Sequence, residues 1–272
     1  MLYLADCLPV KHPQFYSTLQ RLLIELSVDF RLLPNTKDIW AVDYMPLQID
    51  RNKFVQFIYN PDYLQSARWQ KTISNGLEIS ESIGIKALRS EIVLDGGNTV
   101  NAGNKVMVCD KIFNENPAYT RRALLSKLRK VLEVDEICTV PQQKGDIIGH
   151  ADGMVRFIDE ETVLVNDLSK EQPAYQEAFK KSLRCKGLRW VTMPYNPYLN
   201  RSNLQANGIY INYLQMRNLI VLPVFGLHED DLAFRLMEQI FSGYHIEALD
   251  CNAIADHGGV LNCISWNVLE SR

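Results

Sequence analysis

The side chains in this sequence that could do chemistry together are one histidine, several carboxylates and one cysteine. His150 and Asp152 lie two positions apart in GDIIGHADGMVRF, residues 145–157, and Cys263 lies in HGGVLNCIS, residues 257–265. We predict that the first stretch is a strand, in which residues i and i+2 project to one face and place an imidazole beside a carboxylate. A cysteine near such a pair can attack an electrophilic carbon, and the carboxylates favour a carbon that carries positive charge.

The same residues also have purely structural interpretations. An isolated H-x-D pair is often a strand end at which the aspartate orients the histidine, and a single cysteine is often a small buried hydrophobe. Asp43, close to aromatic residues, and Asp95, before two glycines, are both typical of turn or capping aspartates. Which of the two interpretations holds depends on whether the secondary-structure elements bring these residues together.

Composition limits the class of protein. The chain has 272 residues, 47% hydrophobic and 22% charged, and no linker or low-complexity stretch divides it, so we predict a single domain over residues 1–272. The net charge of −3 comes without any lysine or arginine run longer than two. This pattern argues against nucleic acid and anionic membranes as partners.

The sequence also predicts a soluble cytosolic protein. The N-terminus MLYLADCLPV lacks a positive region followed by a long apolar core, and no stretch approaches the ~18 apolar residues of a membrane span. The six cysteines are scattered and form no C-x-x-C motif, which is typical of reduced thiols in the cytosol.

Hydrophobic periodicity predicts five repeated units. Amphipathic helices begin near His12, Gln65, Pro117, Gln172 and Glu229, at intervals of about 55 residues, and short β-rich runs lie before and after them. Each unit therefore reads strand, strand, helix, strand. Five such units in a ring form a five-bladed pseudo-symmetric α/β propeller, whose strand ends converge on one central mouth. A doubly wound sheet is the alternative, but the hairpin-like strand pairs and the lack of a G-x-G-x-x-G motif favour the propeller.

Polar residues recur at equivalent points of these units, where a propeller would bring them together. They are Asp43 in DIWAVDYMP, Asp95 and Asn98 in VLDGGNTV, His150 and Asp152, Asn212 in GIYINYLQ, and Cys263. We expect these side chains to meet at the mouth, where the cysteine and histidine can act on a cationic carbon.

Four blocks carry a resemblance to a known family. They are W-x-x-D-x-x-P at residues 40–46, acidic-Gly-Gly-Asn at 95–98, GHAD followed by RF at 149–157, and GG-x-hydrophobic-x-Cys at 258–263, with a weaker fifth match at 210–226. Because these blocks follow one another in this order, the sequence resembles the bacterial peptidylarginine deiminase and agmatine deiminase family of the guanidine-modifying pentein superfamily.

The resemblance implies a pentein propeller that hydrolyses a guanidinium group to a ureido group plus ammonia. In that scheme Cys263 attacks the guanidinium carbon, and His150 protonates the departing nitrogen and later deprotonates water. A covalent thiouronium intermediate links the two steps. Asp43 and Asp152 match the carboxylates that grip the planar cation.

The resemblance also suggests roles for the remaining matched residues. Asp95 is similar to the family's acidic residue that supports the histidine, and Asn98 and Arg156 follow the same pattern as supporting residues. Trp40 and Asn212 match positions that bind substrate. The expected partner is a small guanidino compound or an arginyl peptide, with no cofactor and no metal.

Departures from the family pattern leave two other functions open. Val42 stands where the family has an arginine, and Asn262 stands where agmatine enzymes usually have a histidine. The opening of the chain on LYLAD also leads us to expect that the N-terminal segment of agmatine deiminases is missing. Loss of the arginine favours a non-catalytic binding protein on the same propeller. An amidinotransferase would use the same thiouronium intermediate and is the second alternative.

Overall fold

The computed structural model describes residues 1–269, and the strands and helices are numbered in chain order. Within this part of the chain, fifteen strands form five three-stranded sheets. Every sheet has the same pattern: its central strand pairs antiparallel with one neighbour and parallel with the other. The predicted repeat of strand, strand, helix, strand is therefore confirmed.

The chain divides into two compact units, Met1–Gly96 with Leu261–Arg272, and Gly97–Val260. The prediction of a single domain over residues 1–272 stays a prediction. Within the described residues, none of the helices combines the length and the apolar character that crossing a bilayer requires.

The first unit contains two of the sheets. Its strands are β1 (Leu2–Ala5), β2 (Phe30–Leu33), β3 (Leu47–Asp50), β4 (Lys53–Ile58), β5 (Ala87–Val93) and β15 (Ser265–Asn267). Its helices are α1 (Leu8–Lys11), α2 (Pro13–Glu25), α3 (Ala41–Tyr44) and α4 (Gly76–Ser82), with 3-10 turns at Asp62–Leu64 and Gln70–Thr72. The sheets have the strand orders β15-β1-β2 and β3-β4-β5, so the two ends of the chain complete one sheet.

An aromatic cluster holds the first unit together around β15. The Trp266 ring lies 5.3 Å from that of Tyr3 and 6.1 Å from that of Phe54, centroid to centroid. The Trp266 Nε1–H group donates to the Pro46 carbonyl at 2.8 Å. Because buried tryptophan needs a partner for its N–H, this bond fixes β15 against the segment that follows α3.

The second unit contains the other three sheets. Its strands are β6 (Val100–Ala102), β7 (Lys105–Cys109), β8 (Glu136–Val140), β9 (Val155–Phe157), β10 (Thr162–Asn166), β11 (Arg189–Met193), β12 (Leu214–Met216), β13 (Leu219–Val224) and β14 (His245–Asp250). Its helices are α5 (Ile112–Glu115), α6 (Arg121–Leu132), α7 (Pro173–Arg184), α8 (Glu229–Ile240) and α9 (Asn252–Ala255). The sheets are β6-β7-β8, β9-β10-β11 and β12-β13-β14.

The long helices bury one stripe each, at the spacing that the sequence predicts. In α2 and α6 the buried side chains recur every four residues: Phe15, Leu19 and Leu23 in the first, and Leu124, Leu128 and Leu132 in the second. Residues four apart share a helix face. In the second unit, α7 adds Phe179 and Leu183 to an apolar core that also contains residues of β7 and β10. These helices connect the parallel strand of each sheet to its centre.

The predicted helix near Gln65 is wrong. Residues 62–64 and 70–72 form isolated 3-10 turns, and the helix of this repeat begins only at Gly76. All side chains from residue 65 to residue 71 are exposed, so a helix there would have no apolar face to bury. The N-cap is Asn75, whose side-chain oxygen accepts from the Glu78 N–H at 3.3 Å. The helix predicted near Pro117 begins at Arg121, where Thr120 provides the cap.

Candidate active site

Cys263 lies in a buried turn that is tied to α3. Its side chain is 8% exposed, and its carbonyl accepts from the Val42 N–H at 3.3 Å. The turn is closed by Ser265, whose hydroxyl donates to the Asn262 carbonyl at 3.0 Å. Both bonds involve main-chain carbonyls of the turn, at Cys263 and Asn262.

Asp43 and Trp40 belong to the same one-turn helix, α3. Asp43 is 7% exposed and Trp40 is half-buried at the helix N-cap. Asp38 orders the approach to this helix: its Oδ1 accepts from the Ile39 N–H at 2.8 Å, and its carbonyl accepts from the Tyr44 hydroxyl at 3.1 Å. The Val42 bond to Cys263 therefore fixes the helix that carries Asp43 against the cysteine turn.

Asp95 is 2% exposed and accepts from the Tyr63 hydroxyl at Oδ2, over 3.1 Å. Gly96, which follows it, lies so close to α3 that a Cβ there would sit 1.9 Å from the Val42 carbonyl oxygen. Only glycine permits this approach. The first glycine of the acidic-Gly-Gly-Asn block thus brings Asp95 to the helix that carries Asp43.

Changing Gly96 to alanine is expected to destabilise the protein by about 2 kcal/mol or more, because a backbone oxygen cannot move aside as a flexible side chain can. Thermal and urea unfolding measure the effect. The matched control is Gly153→Ala, since a Cβ at Gly153 would meet nothing within 4 Å. Equal stability of the two variants would contradict the close packing of residues 95–96 on α3.

Two tyrosines that the sequence did not single out adjoin these carboxylates. Burial raises the pKa of Tyr59 well above its ordinary value, and the negative charges of Asp43 and Asp95 raise that pKa further. Burial and the charge of Asp95 do the same to the pKa of Tyr63. Both phenols therefore stay protonated at neutral pH and can donate to a carboxylate. The sequence feature that could have indicated Tyr59 is its position directly after β4, at the end of a strand of a repeat.

In the second unit, His150 and Asp152 are both buried, at 6% and 1% exposure, but they do not lie on a strand. Residues Ala151–Gly153 form a 3-10 turn, and β9 begins at Val155. Gly149 adopts a φ of +66°, a conformation that interrupts an extended chain. The prediction that the pleat of a strand puts the two side chains on one face is wrong, and a tight turn holds them instead.

Two buried asparagines hold this turn by its backbone. The Asn212 Nδ2 group donates to the Asp152 carbonyl at 3.4 Å, and the Asn166 Nδ2 group donates to the Gly153 carbonyl at 2.8 Å. Asn212 is 2% exposed. The structure therefore brings Asn212 together with Asp152, and the weak fifth block of the sequence meets the GHAD block.

Arg156 and Asn98 act as links between segments. The Arg156 guanidinium lies 4.6 Å from the centroid of the Tyr213 ring and donates to the Tyr213 carbonyl at 3.3 Å, which ties β9 to the segment that carries Asn212. Asn98 is 1% exposed, and its Oδ1 accepts from the Cys109 N–H at 2.7 Å. Asn98 therefore fastens its turn to the end of β7.

The other cysteines differ from Cys263 in their surroundings. Burial raises the pKa of Cys109 to about 12 and that of Cys138 to about 11, and it raises the pKa of Cys251 well above the ordinary value. These thiols stay protonated at neutral pH and are poor nucleophiles. Cys185 is exposed on the surface, and none of the six cysteines forms a disulfide.

Among residues 1–269, no group of three or more histidine, cysteine, aspartate or glutamate residues is arranged to hold a metal ion.

A solved structure shares the fold of this chain. The agmatine deiminase of C. jejuni superposes with a TM-score of 0.79 over 100% of this chain and 94% of its own, at 18% identity. This likeness confirms the predicted fold class, the pentein fold of five strand-strand-helix-strand repeats.

The family is shown by sequence. A model of the Porphyromonas-type peptidyl-arginine deiminases matches residues 7–268, and the chain belongs to this family. Among relatives described as putative agmatine deiminases, that of Mycoplasma mycoides subsp. mycoides is 24% identical over 72% of this chain, and that of Legionella pneumophila is 30% identical over 64%. The chain spans only 63% and 55% of the lengths of these two relatives.

Proposed function

We propose that the protein is a deiminase that converts the guanidinium group of a small guanidino compound or an arginine side chain to a ureido group plus ammonia. One observation carries the proposal: the polar residues of the family blocks are buried rather than solvated. Asp43, Asp95, His150, Asp152 and Asn212 are each less than 9% exposed. Burying charged and polar side chains is unfavourable, and groups retained at such positions are candidates for chemistry.

The first half of the proposed reaction forms a covalent intermediate. The Cys263 sulfur attacks the guanidinium carbon, a C–S bond forms, and one C–N bond breaks. His150 gives its proton to the departing nitrogen, which leaves as ammonia. The positive charge of the bound guanidinium favours the thiolate form of Cys263, since a neighbouring cation lowers the pKa of a thiol.

The second half releases the product by hydrolysis. His150 takes a proton from water, the water oxygen attacks the thiouronium carbon, and the C–S bond breaks to leave a ureido group. One water is consumed for each ammonia released. The second proton of that water passes to solvent, where ammonia takes it up, and Cys263 and His150 return to their starting states.

The carboxylates supply the binding energy for the cation. A guanidinium group is planar and always charged, and its N–H donors match two carboxylates in a bidentate arrangement. We assign these roles to Asp43 and Asp152. Trp40 and Asn212 contribute to substrate binding, and Asp95, oriented by the Tyr63 hydroxyl, supports His150 in this proposal.

The cellular setting is also part of the proposal. We assign the protein to the cytosol, supported by six cysteines that form no disulfide. The proposed partners are its guanidino substrates, with no nucleic acid or membrane. Cell fractionation that recovers the protein with membranes would contradict this assignment.

A screen of guanidino compounds tests the function. Arginine, agmatine, methylated arginines and arginyl peptides are incubated with the protein, and the ureido product and ammonia (or methylamine from a methylated nitrogen) are measured together. We expect one of these classes to give both products in equal amounts. Transfer of the amidino group to an added amine would instead identify an amidinotransferase, and binding without turnover would identify a non-catalytic protein on the same fold.

A further inference from the structure

Lys111 is a buried cation below the loop that leads to His150. It follows β7 and directly precedes α5, and its side chain is 3% exposed. Its Nζ lies 3.5 Å from an Oε of Glu115, which is itself only 4% exposed. The proposed mechanism uses neither of these charged residues.

The ammonium group of Lys111 is directed at the main chain just before His150. Nζ donates to the Ile148 carbonyl at 2.7 Å and to the Ile147 carbonyl at 3.3 Å. The aliphatic part of the side chain reaches the next residue as well, because a Cβ on Gly149 would lie 2.9 Å from the Lys111 Cδ. One side chain therefore contacts three consecutive residues, the last of which adjoins His150.

The amides of the same loop are held by a second charged side chain. Asp146 Oδ1 accepts from the N–H groups of Ile148 and Gly149, at 2.9 and 3.0 Å. Gln142 donates to the Asp146 carbonyl at 2.7 Å. The carbonyls of this loop accept hydrogen bonds from Lys111, and its amides donate to Asp146. These bonds hold the segment before His150 in one conformation.

Stability alone does not explain this pair of charges. A buried ion pair loses in desolvation much of what it gains in attraction, and apolar residues of similar volume often stabilise a protein equally well. The ion pair Lys186–Glu136, in the same unit, has the more usual exposed arrangement. Its Nζ and Oε1 atoms are 2.9 Å apart, and both side chains are about a third exposed. What distinguishes Lys111 is its pair of bonds to carbonyls next to His150.

We infer that Lys111 is a positioning residue for His150: its buried ammonium fixes the Ile147 and Ile148 carbonyls and thereby sets where the imidazole lies. The kinetic consequence rests on the proposed deiminase function. The placement of the imidazole does not depend on that function and can be measured without substrate.

The main test variant combines Lys111→Met with Glu115→Gln. It removes the ammonium that makes both hydrogen bonds to the loop, and it also neutralises the carboxylate that pairs with that ammonium. With the substrate found in the screen, we expect kcat to fall about a hundredfold at unchanged KM, since small displacements of a catalytic group have effects of this size. The control is Lys186→Met with Glu136→Gln, which is expected to leave kcat unchanged. An equal effect of both double variants, or no effect of the first, would overturn the inference.

The second readout is the NMR titration of isotope-labelled histidine. The chain has five histidines, and the signal of His150 is assigned by its loss in His150→Gln. We expect the His150 ring signals and titration midpoint to change in the Lys111 double variant, while the ring signals of His245, which pairs with Glu247, stay as they are. This outcome is expected even if no guanidino compound is turned over. A failure of the proposed function can therefore be distinguished from a failure of the positioning role of Lys111.

A milder variant keeps the inference testable if the double variant does not fold. Lys111→Arg retains the charge but changes the geometry of the donors, and unfolding curves show which variants are native. We expect a smaller change in the His150 signals than in the double variant. Unchanged His150 signals in whichever of the two variants folds would overturn the positioning role.

Discussion

Cys263→Ala is expected to reduce formation of the ureido product by on the order of 10³-fold or more, because the variant has no atom that can form the covalent intermediate. The fold is expected to survive. The turn around Cys263 is held by the Val42 N–H and by Ser265, through main-chain carbonyls that alanine retains. Removing one sulfur from a buried site leaves only a small cavity.

The measurement is turnover of the best compound in the screen, with the unfolding transition recorded on the same samples. Cys185→Ala is the control, since it removes an exposed thiol and is expected to leave turnover unchanged. Turnover by Cys263→Ala within a few-fold of the unsubstituted protein would show that the reaction does not pass through this sulfur.

Asp43→Asn and Asp152→Asn are each expected to lower kcat/KM on the order of a hundredfold, because each substitution keeps the shape of the side chain but removes a charge-assisted hydrogen bond to the guanidinium. Their melting temperatures are expected to stay close to that of the unsubstituted protein. The two carboxylates belong to different repeats, one in α3 and one in the turn after His150. Similar losses of kcat/KM for the same substrate would therefore indicate that both carboxylates bind the same guanidinium group.

The comparison is made at several substrate concentrations, so that KM and kcat are separated, and with the exposed Asp29→Asn as the charge control. The variants are also compared on a neutral ureido analogue as a competitor, whose binding is expected to change less than that of the substrate. Unchanged kcat/KM with unchanged melting temperature would show that the two carboxylates are structural.

The repeat could be predicted from the sequence because it depends on local patterns. Buried residues four apart in α2 and α6, and short runs of β-branched residues on either side, are visible without any tertiary information. The helix predicted near Gln65 was wrong because that prediction also used local patterns alone. The segment has helix-compatible residues, but no surface on which to bury them, and only the folded structure shows this.

The candidate site was only partly predictable. The aspartates, His150 and Cys263 were singled out from their residue types and their order in the chain, and their roles stay a prediction. Tyr63, which precedes the helix predicted near Gln65, was missed because its hydroxyl contacts a carboxylate 32 residues away, that of Asp95. Lys111 was missed because a single lysine after a strand usually lies in water. Its burial is set by a loop more than thirty residues away, a tertiary contact that sequence patterns do not report.

The most direct test of the account is which thiol reacts with a haloacetamidine, an amidinium cation with a leaving group. Carboxylates that bind a guanidinium would concentrate this cation at the Cys263 sulfur. Peptide mapping by mass spectrometry after brief treatment is expected to show Cys263 alkylated well ahead of exposed Cys185, with buried Cys109, Cys138 and Cys251 slowest, and excess substrate is expected to protect Cys263. Labelling of Cys185 with none at Cys263 in the folded protein would contradict the account.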